Sequence, residues 1–181
     1  MKMRKMDSRY LEMREGFFNI KKESLKLTSR KDASIYGAVV DIVVKNRLLT
    51  IVCLLNGKTN VYAGDKKSYF RDNGEHETIY KATKTFLINV EQIFDMFKET
   101  TDFSPNEEIK ENIFLLTDKG VFSAKAAGKS KKVKFLRYLY KSVLIKVINA
   151  HSYSCLGQRC RTCIMGNFLN KSCLMKKALQ D

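Results

Sequence analysis

The block from Ile35 to about Ala126 constrains the fold most, because strand-like segments flank one long amphipathic segment within it. The early segments are rich in β-branched residues and nearly continuous in apolar character, as is typical of buried strands. Asn56-Gly57 is a strong hairpin signal, since both residues tolerate the positive φ of a type I′ turn. The first half therefore predicts an antiparallel meander. Its segments are 35–45, 48–55, 59–63 and, as a short candidate, 68–70.

The second half of the block predicts a helix followed by another hairpin. Apolar residues recur every three or four positions from Glu75 to about Glu99, which indicates one stripe of an amphipathic helix. Segments 112–117 and 121–126 form the hairpin, and a last helix is predicted over 130–149. The order β-β-β-α-β-β-α predicts an α+β fold: one antiparallel sheet of about five strands with helices packed on it. Profilin-like and roadblock-like domains share this architecture by analogy.

Sequence character divides the chain into three parts. Residues 1–33 form a charged segment with a short helix predicted from about Ser8 to Glu15, interrupted at Gly16. Residues 34–150 form a single α+β domain, since 181 residues suffice for one full hydrophobic core. Residues 151–181 form a basic tail that contains four of the five cysteines.

The net charge of +15 lies mainly outside the central block. Residues 119–150 hold nine Lys and Arg and no acid, whereas residues 34–118 hold ten Lys and Arg against thirteen Asp and Glu. A basic surface attracts nucleic acid, anionic lipid or an acidic protein, and simple solubility is the alternative explanation. No apolar run approaches the roughly 20 residues of a membrane span, and the first residues lack the apolar centre of a secretion signal. We therefore predict a cytoplasmic protein with reduced cysteines and no transmembrane segment.

Four short motifs carry a resemblance to a known family. They are I-Y-G-A-V-V-D at 35–41, L-N-G-K-T-N-V-Y at 55–62, G-E-H-E at 74–77 and F-L-L-T at 114–117. Together they resemble a family of small uncharacterised bacterial proteins over roughly residues 20–150. G-E-H-E with the helix after it is the most specific of the four. The resemblance implies a bacterial source and a shared fold, and it implies no activity.

His76 is the candidate catalytic residue, since an imidazole in the first turn of a helix can exchange protons near neutral pH. Anion binding at the same helix start and simple helix capping are the alternatives. A nucleophilic site would need His76 to meet Cys53 and Asp41 in space. Cys53 lies in an apolar strand, where a thiol is usually an inert small hydrophobe.

The tail contains candidate metal ligands in the pattern H-x3-C-x4-C-x2-C-x9-C. Zinc takes four sulfur or nitrogen ligands in a tetrahedron, and one C-x2-C pair with two further residues would supply them. An iron–sulfur cluster is a weaker alternative, and a tail without metal is favoured, so no cofactor is predicted. The candidate ligands are His151, Cys155, Cys160, Cys163 and Cys173.

The basic run after the second hairpin is the candidate polyanion-binding segment. Lysines bind phosphate without reading sequence, and the interleaved Phe135, Tyr138 and Tyr140 add aromatic surface. A solvated helix face is the alternative. The candidate residues are Lys125, Lys129, Lys131, Lys132, Lys134, Arg137 and Lys141.

Three functional hypotheses follow. The first is a non-enzymatic protein-interaction or scaffold module with a protein partner or a homodimer, formed through an edge strand or a helix face. The second is a nucleic-acid or other polyanion binder that uses residues 119–141. The third is a small enzyme built around His76.

Overall fold

The structure is a computed structural model that describes residues 6–27, 34–44, 47–64, 69–105 and 110–155, the last five by backbone alone. Its helices are α1 (Ser8–Phe18), α2 (Glu77–Asn89) and α3 (Lys131–Cys155). Two 3₁₀ helices span Lys22–Leu25 and Val90–Met96. The strands are β1 (Ile35–Val44), β2 (Arg47–Leu54), β3 (Thr59–Ala63), β4 (Tyr69–Asp72), β5 (Lys98–Glu99), β6 (Glu111–Thr117) and β7 (Gly120–Lys125).

The strands form one open antiparallel sheet in the order β4-β3-β2-β1-β6-β7-β5, which confirms the α+β class. At its centre Val40 of β1 lies opposite Ile51 of β2 on one side and Ile113 of β6 on the other. The expectation of about five strands was wrong, because the sheet has seven in the described residues. The two strands at the sheet edges, β4 and β5, have four and two residues. Strands this short show too little alternation to be identified with certainty from sequence.

The first face of the sheet lies under α2 and α3 and carries the larger apolar core. Val40, Ile51 and Ile113 from the strands meet Phe86 of α2 and Leu136 of α3, all 0% exposed. Fully burying one such side chain stabilises a fold by about 1.5–3 kcal/mol, so this layer is the main source of stability.

The second face is covered by α1 and by the 3₁₀ helix Lys22–Leu25. Tyr10 and Phe18 of α1 pack on Val39 of β1 and Phe114 of β6. The Phe18 ring meets the Phe114 ring edge to face, with centroids 5.1 Å apart. The N-terminal segment is thus part of the packed fold, and it closes the second face of the sheet.

A buried ion pair holds α1 against this second face. Arg14 Nη2 lies 2.6 Å from Asp41 Oδ2, and both side chains are only 4% exposed. Thr50 Oγ1 donates to Asp41 Oδ1 at 2.5 Å and, with its one proton used, accepts from the Tyr10 hydroxyl at 2.6 Å. Arg14 Nη1 donates to the Phe103 carbonyl. Asp41, which interrupts the apolar run of β1, is therefore a docking point for α1.

The ends of all three predicted helices differ from the structure, and α3 continues to Cys155 rather than ending near residue 149. The helix expected from Glu75 to Glu99 ends at Asn89, and a 3₁₀ helix then continues to Met96 before β5. The predicted apolar stripe is nevertheless buried through Val90 and Ile93, because their spacing of three matches the three residues per turn of a 3₁₀ helix. In α1 the chain stays helical through Gly16 to Phe18, since Phe18 is fixed by packing on the sheet.

The Asn56-Gly57 turn joins β2 to β3 as predicted, but its geometry is not type I′. Only Gly57 has a positive φ, +87°, whereas a type I′ turn needs two such residues. The Gly57 amide donates to the Leu54 carbonyl at 2.8 Å, as in a type I turn followed by a left-handed glycine. A Cβ on Gly57 would also lie 2.0 Å from Tyr80 Cδ2, so packing requires glycine here as well.

Candidate functional site

His76 is the N-cap residue of α2, and its side chain is half exposed. Its Nδ1 lies 3.0 Å from Oδ1 of Asp72, whose side chain is 1% exposed at the end of β4. The same Asp72 oxygen accepts the backbone N–H groups of Glu75 and His76 at 3.2 and 3.3 Å. Gly74, with φ of +92°, makes the turn that brings these groups together. Asp72 thus closes the turn and orients the imidazole.

The other oxygen of Asp72, Oδ2, is buried and has no hydrogen-bond partner among the described residues. Besides Asp72, His76 contacts the ring of Phe70, with centroids 6.4 Å apart. These contacts orient the His76 imidazole. Neither of them is with a nucleophilic side chain in the described part of the chain. The Asp72-His76 pair was missed at the sequence level, although its spacing of four across Asn73-Gly74 was a usable signal.

Cys53 and Asp41 lie on opposite faces of the sheet. Cys53 is opposite Ala38 of β1 and shares the first face with it, whereas Asp41 points to α1 on the second face. Burial raises the pKa of the Cys53 thiol to about 12, and a hydrogen bond with Thr83 opposes the shift. The thiol is therefore protonated at neutral pH. The sheet separates it from Asp41, so these two residues do not form one site.

The structure divides the basic run into residues with different environments. Lys132 Nζ forms an ion pair with Asp95, in the 3₁₀ helix after α2. Lys125 follows the buried Ala124 on β7, so strand alternation directs Lys125 toward the second face, away from α3. Lys141 is half-buried and has an interaction partner of its own. Lys129, Lys131 and Lys134 are exposed.

Arg137 uses its guanidinium to hold the loop before α3. Its Nε lies 2.6 Å from Glu111 Oε2, while Nη2 and Nη1 donate to the carbonyls of Ala126 and Gly128 at 2.7 and 3.1 Å. These bonds join β6, the loop and the second turn of α3. Arg137 is therefore a positioning residue that fixes Lys129 beside the helix, and its donors face the protein.

The aromatic residues interleaved with the lysines also differ in how far they are exposed to solvent. Tyr140 is buried in the first-face core and Phe135 is half-buried, but Tyr138 is 69% exposed. Burial raises the pKa of Tyr140, and the nearby Glu111 carboxylate raises it further. The Tyr138 side chain makes no hydrogen bond and no ring contact with any described residue. It lies in the middle of the solvent side of α3.

We call the solvent side of α3 the α3 outer surface. Its members from Lys131 to Ile145 recur every three or four residues along the helix, and the exposed Lys146 adjoins them beyond the segment that the sequence indicated. Lys131, Lys134 and Lys146 have no charged partner among the described residues. The α3 outer surface consists of Lys131, Lys134, Tyr138, Lys141, Ile145 and Lys146.

The candidate metal ligands fall largely outside the described residues. His151 and Cys155 belong to the last turns of α3, and Cys160, Cys163 and Cys173 lie beyond the described residues. Within the ranges that the structure describes, no three His, Cys, Asp or Glu side chains are grouped to hold a metal ion.

An open cleft of about 800 Å³ lies beside the start of β1. Its lining includes Tyr36 of β1, Lys21 and Lys26 near the 3₁₀ helix, and the ion pair of Lys22 with Asp118 at 2.7 Å. Burial raises the pKa of Tyr36, and the carboxylates of Asp118 and Glu23 raise it further. His76 is not among the described lining residues, so this cleft and the Asp72-His76 pair are separate features.

None of the helices in the described ranges combines the length and apolar character needed to cross a bilayer. Comparisons with protein-family models, with curated protein sequences and with solved structures found no match to this chain.

Proposed function

We propose that this chain is a non-enzymatic binding module that holds a polyanion on the α3 outer surface. The observation that carries the proposal is the set of exposed lysines on and beside α3 that lack an acidic partner in the described residues. Lys131, Lys134 and Lys146 lie on the helix, and Arg137 fixes Lys129 in the adjoining loop. Ammonium groups in water attract phosphate or sulfate chains regardless of sequence.

The position of these lysines supports a functional rather than a stabilising role. Lys131 and Lys134 lie in the first turns of α3, where the positive end of the helix dipole disfavours cations by about 0.3–1 kcal/mol each. Ser130 caps the helix through its Oγ, which accepts the Val133 N–H at 3.2 Å. Helix formation thus gains nothing from the lysines, whereas a bound anion would benefit from them.

A protein partner or a homodimer is the second candidate, and the exposed Tyr138 and Ile145 favour a helix face as its contact. Strand addition is less supported, because the edge strands β4 and β5 have only four and two residues. The profilin-like or roadblock-like analogy, the bacterial origin and the cytoplasmic location stay predictions.

The test is a salt titration of binding to a labelled DNA duplex by fluorescence anisotropy, between about 50 and 200 mM salt. A variant with Lys129, Lys131, Lys134 and Lys146 changed to Gln removes the proposed contacts. The matched control changes Lys21, Lys26, Lys58 and Lys98 to Gln; these exposed lysines lie on other elements, and the net charge change is identical.

The wild-type protein and the control should bind with a steep salt dependence. In the α3 variant the slope of log K against log salt should be shallower by about 0.9 per lost phosphate contact. Equal affinity of the two variants would contradict the assignment to α3, and absence of wild-type binding at about 50 mM salt would contradict polyanion binding itself.

A further inference from the structure

Tyr138 is the aromatic side chain that the fold leaves most exposed among the described residues. Its exposed fraction is 69%, compared with 36% for Ile145, the other exposed large apolar residue among the described side chains of α3. Side chains of this size usually lose most of their accessible surface in a folded domain. Packing in the described structure gives no reason for an aromatic ring at this position.

The neighbours of Tyr138 are cationic. Lys134 precedes it by one helical turn and Lys131 by two, so the three side chains follow one line along the solvent side of α3. With a rise of 1.5 Å per residue, the two lysines are centred about 6 and 10 Å from Tyr138 along the helix axis. On the C-terminal side the exposed Lys146 follows about two turns later, beyond the half-buried Lys141, which has an interaction partner of its own. The ring is thus flanked by positive charge on both sides.

We infer that the polyanion is single-stranded nucleic acid, with Tyr138 stacking on an unpaired base while the lysines contact the flanking phosphates. This inference rests on the proposed polyanion-binding function and assigns its ligand class. An exposed aromatic ring within a cationic track is the arrangement by which proteins hold single strands without reading their sequence. Heparin and polyphosphate offer charge but no base to stack on.

Two other anionic partners fit the surface less well. In a duplex the base faces are stacked on one another, so Tyr138 would contribute little there. An anionic membrane requires a broad apolar helix face, and the exposed large apolar side chains that α3 shows in its described part are Tyr138 and Ile145. These alternatives serve as outcomes of the test.

The experiment measures anisotropy with labelled oligo(dT) and oligo(rU) of about 16 nucleotides, a duplex of equal length and labelled heparin. Sedimentation with phosphatidylserine vesicles tests the membrane. Tyr138→Ala removes the ring, and Tyr138→Phe keeps it without the hydroxyl. Met13→Ala is the control for loss of exposed apolar surface on another helix, since Met13 of α1 is 43% exposed. Both positions are solvent-accessible, and thermal unfolding verifies that each variant folds.

Tyr138→Ala should weaken binding to one or both single strands by about tenfold or more, while Tyr138→Phe and Met13→Ala stay within about twofold of wild type. Duplex and heparin binding should be unchanged by Tyr138→Ala. Single-strand affinity that is insensitive to Tyr138→Ala, or an equal loss for duplex and heparin, would overturn the assignment and leave polyanion binding in place. Binding to vesicles alone, or to none of the probes, would overturn both proposals.

Discussion

The two faces of the sheet are covered in different ways. On the first face, α2 and α3 bury a broad apolar layer, in which Thr83 contacts both Thr59 and the Cys53 thiol. On the second face, the eleven-residue α1 is fixed by the ion pair of Arg14 with Asp41. The first cover is held mainly by its buried apolar area, whereas the second combines a smaller apolar cluster with one buried ion pair.

The difference indicates what each cover requires from the sequence. A broad apolar interface tolerates small shifts of a helix, whereas a guanidinium in contact with a carboxylate fixes one position and angle. We therefore interpret the buried pair as the feature that specifies how α1 docks. The Arg14 guanidinium also lies 5.0 Å from the Phe18 ring centroid and 5.5 Å from that of Phe114, which adds cation–π attraction.

Breaking the ionic contact should have the largest effect. Asp41→Ala leaves the Arg14 charge buried without its partner and should lower the free energy of unfolding by about 3–5 kcal/mol. Urea unfolding followed by circular dichroism measures the change. The double variant Arg14→Met with Asp41→Leu should recover most of the loss, because no uncompensated charge is left. Equal losses in both variants would show that packing, not charge pairing, holds α1.

Breaking the hydrogen bond between Thr83 and Thr59 on the first face should lower the free energy of unfolding by less. Thr83→Val keeps the side-chain volume but removes the hydroxyl, which lies 2.6 Å from that of Thr59. Thr59 then retains only a long contact with the Gly57 carbonyl, at 3.4 Å. The free energy of unfolding should fall by about 1–3 kcal/mol. A loss as large as that of Asp41→Ala would contradict the contrast between the faces.

Raising the pH into the alkaline range tests the first face separately, because it ionises the buried Cys53 thiol there. The pKa of Cys53 is raised by burial from 9.0 to about 12, so the unfolded thiol ionises at a lower pH than the folded one. Its stabilising contribution is complete below about pH 9 and is lost as pH rises toward 12. In this window the unfolded state binds fewer protons, and the free energy of unfolding falls by at most about 1.4 kcal/mol per pH unit.

Cys53→Ala should remove that part of the pH dependence, as measured by urea unfolding from pH 8 to the alkaline limit of stability. Tyr10→Phe is the corresponding variant on the second face, because burial also raises the pKa of Tyr10 and nearby Asp41 raises it further. It should remove a separate part of the alkaline pH dependence. Identical slopes for wild type and Cys53→Ala would mean that the thiol ionises equally in both states.

Much of the sheet was predictable because the central strands are long and buried. The start of β1 at Ile35 and both ends of β3 coincide with the prediction, since apolar runs bounded by turn residues mark such strands. The edge strand β5 was not predictable, because two residues carry no periodicity. The sequence predicted that the candidate surface is a charged segment. It did not predict which of its side chains are exposed and which are bonded to the protein.

The sequence by itself determined the α+β class, the central hairpins and the basicity of residues 119–150, because periodicity and charge are local properties. Tertiary structure decided the rest. Arg14 and Asp41 are 27 residues apart and looked like two ordinary charges until the sheet brought them together. Arg137 looked like a phosphate contact until packing directed its donors to Glu111 and the loop. Tyr138 and Tyr140 differ by two positions, and the rotation of one helix leaves the first in solvent and buries the second.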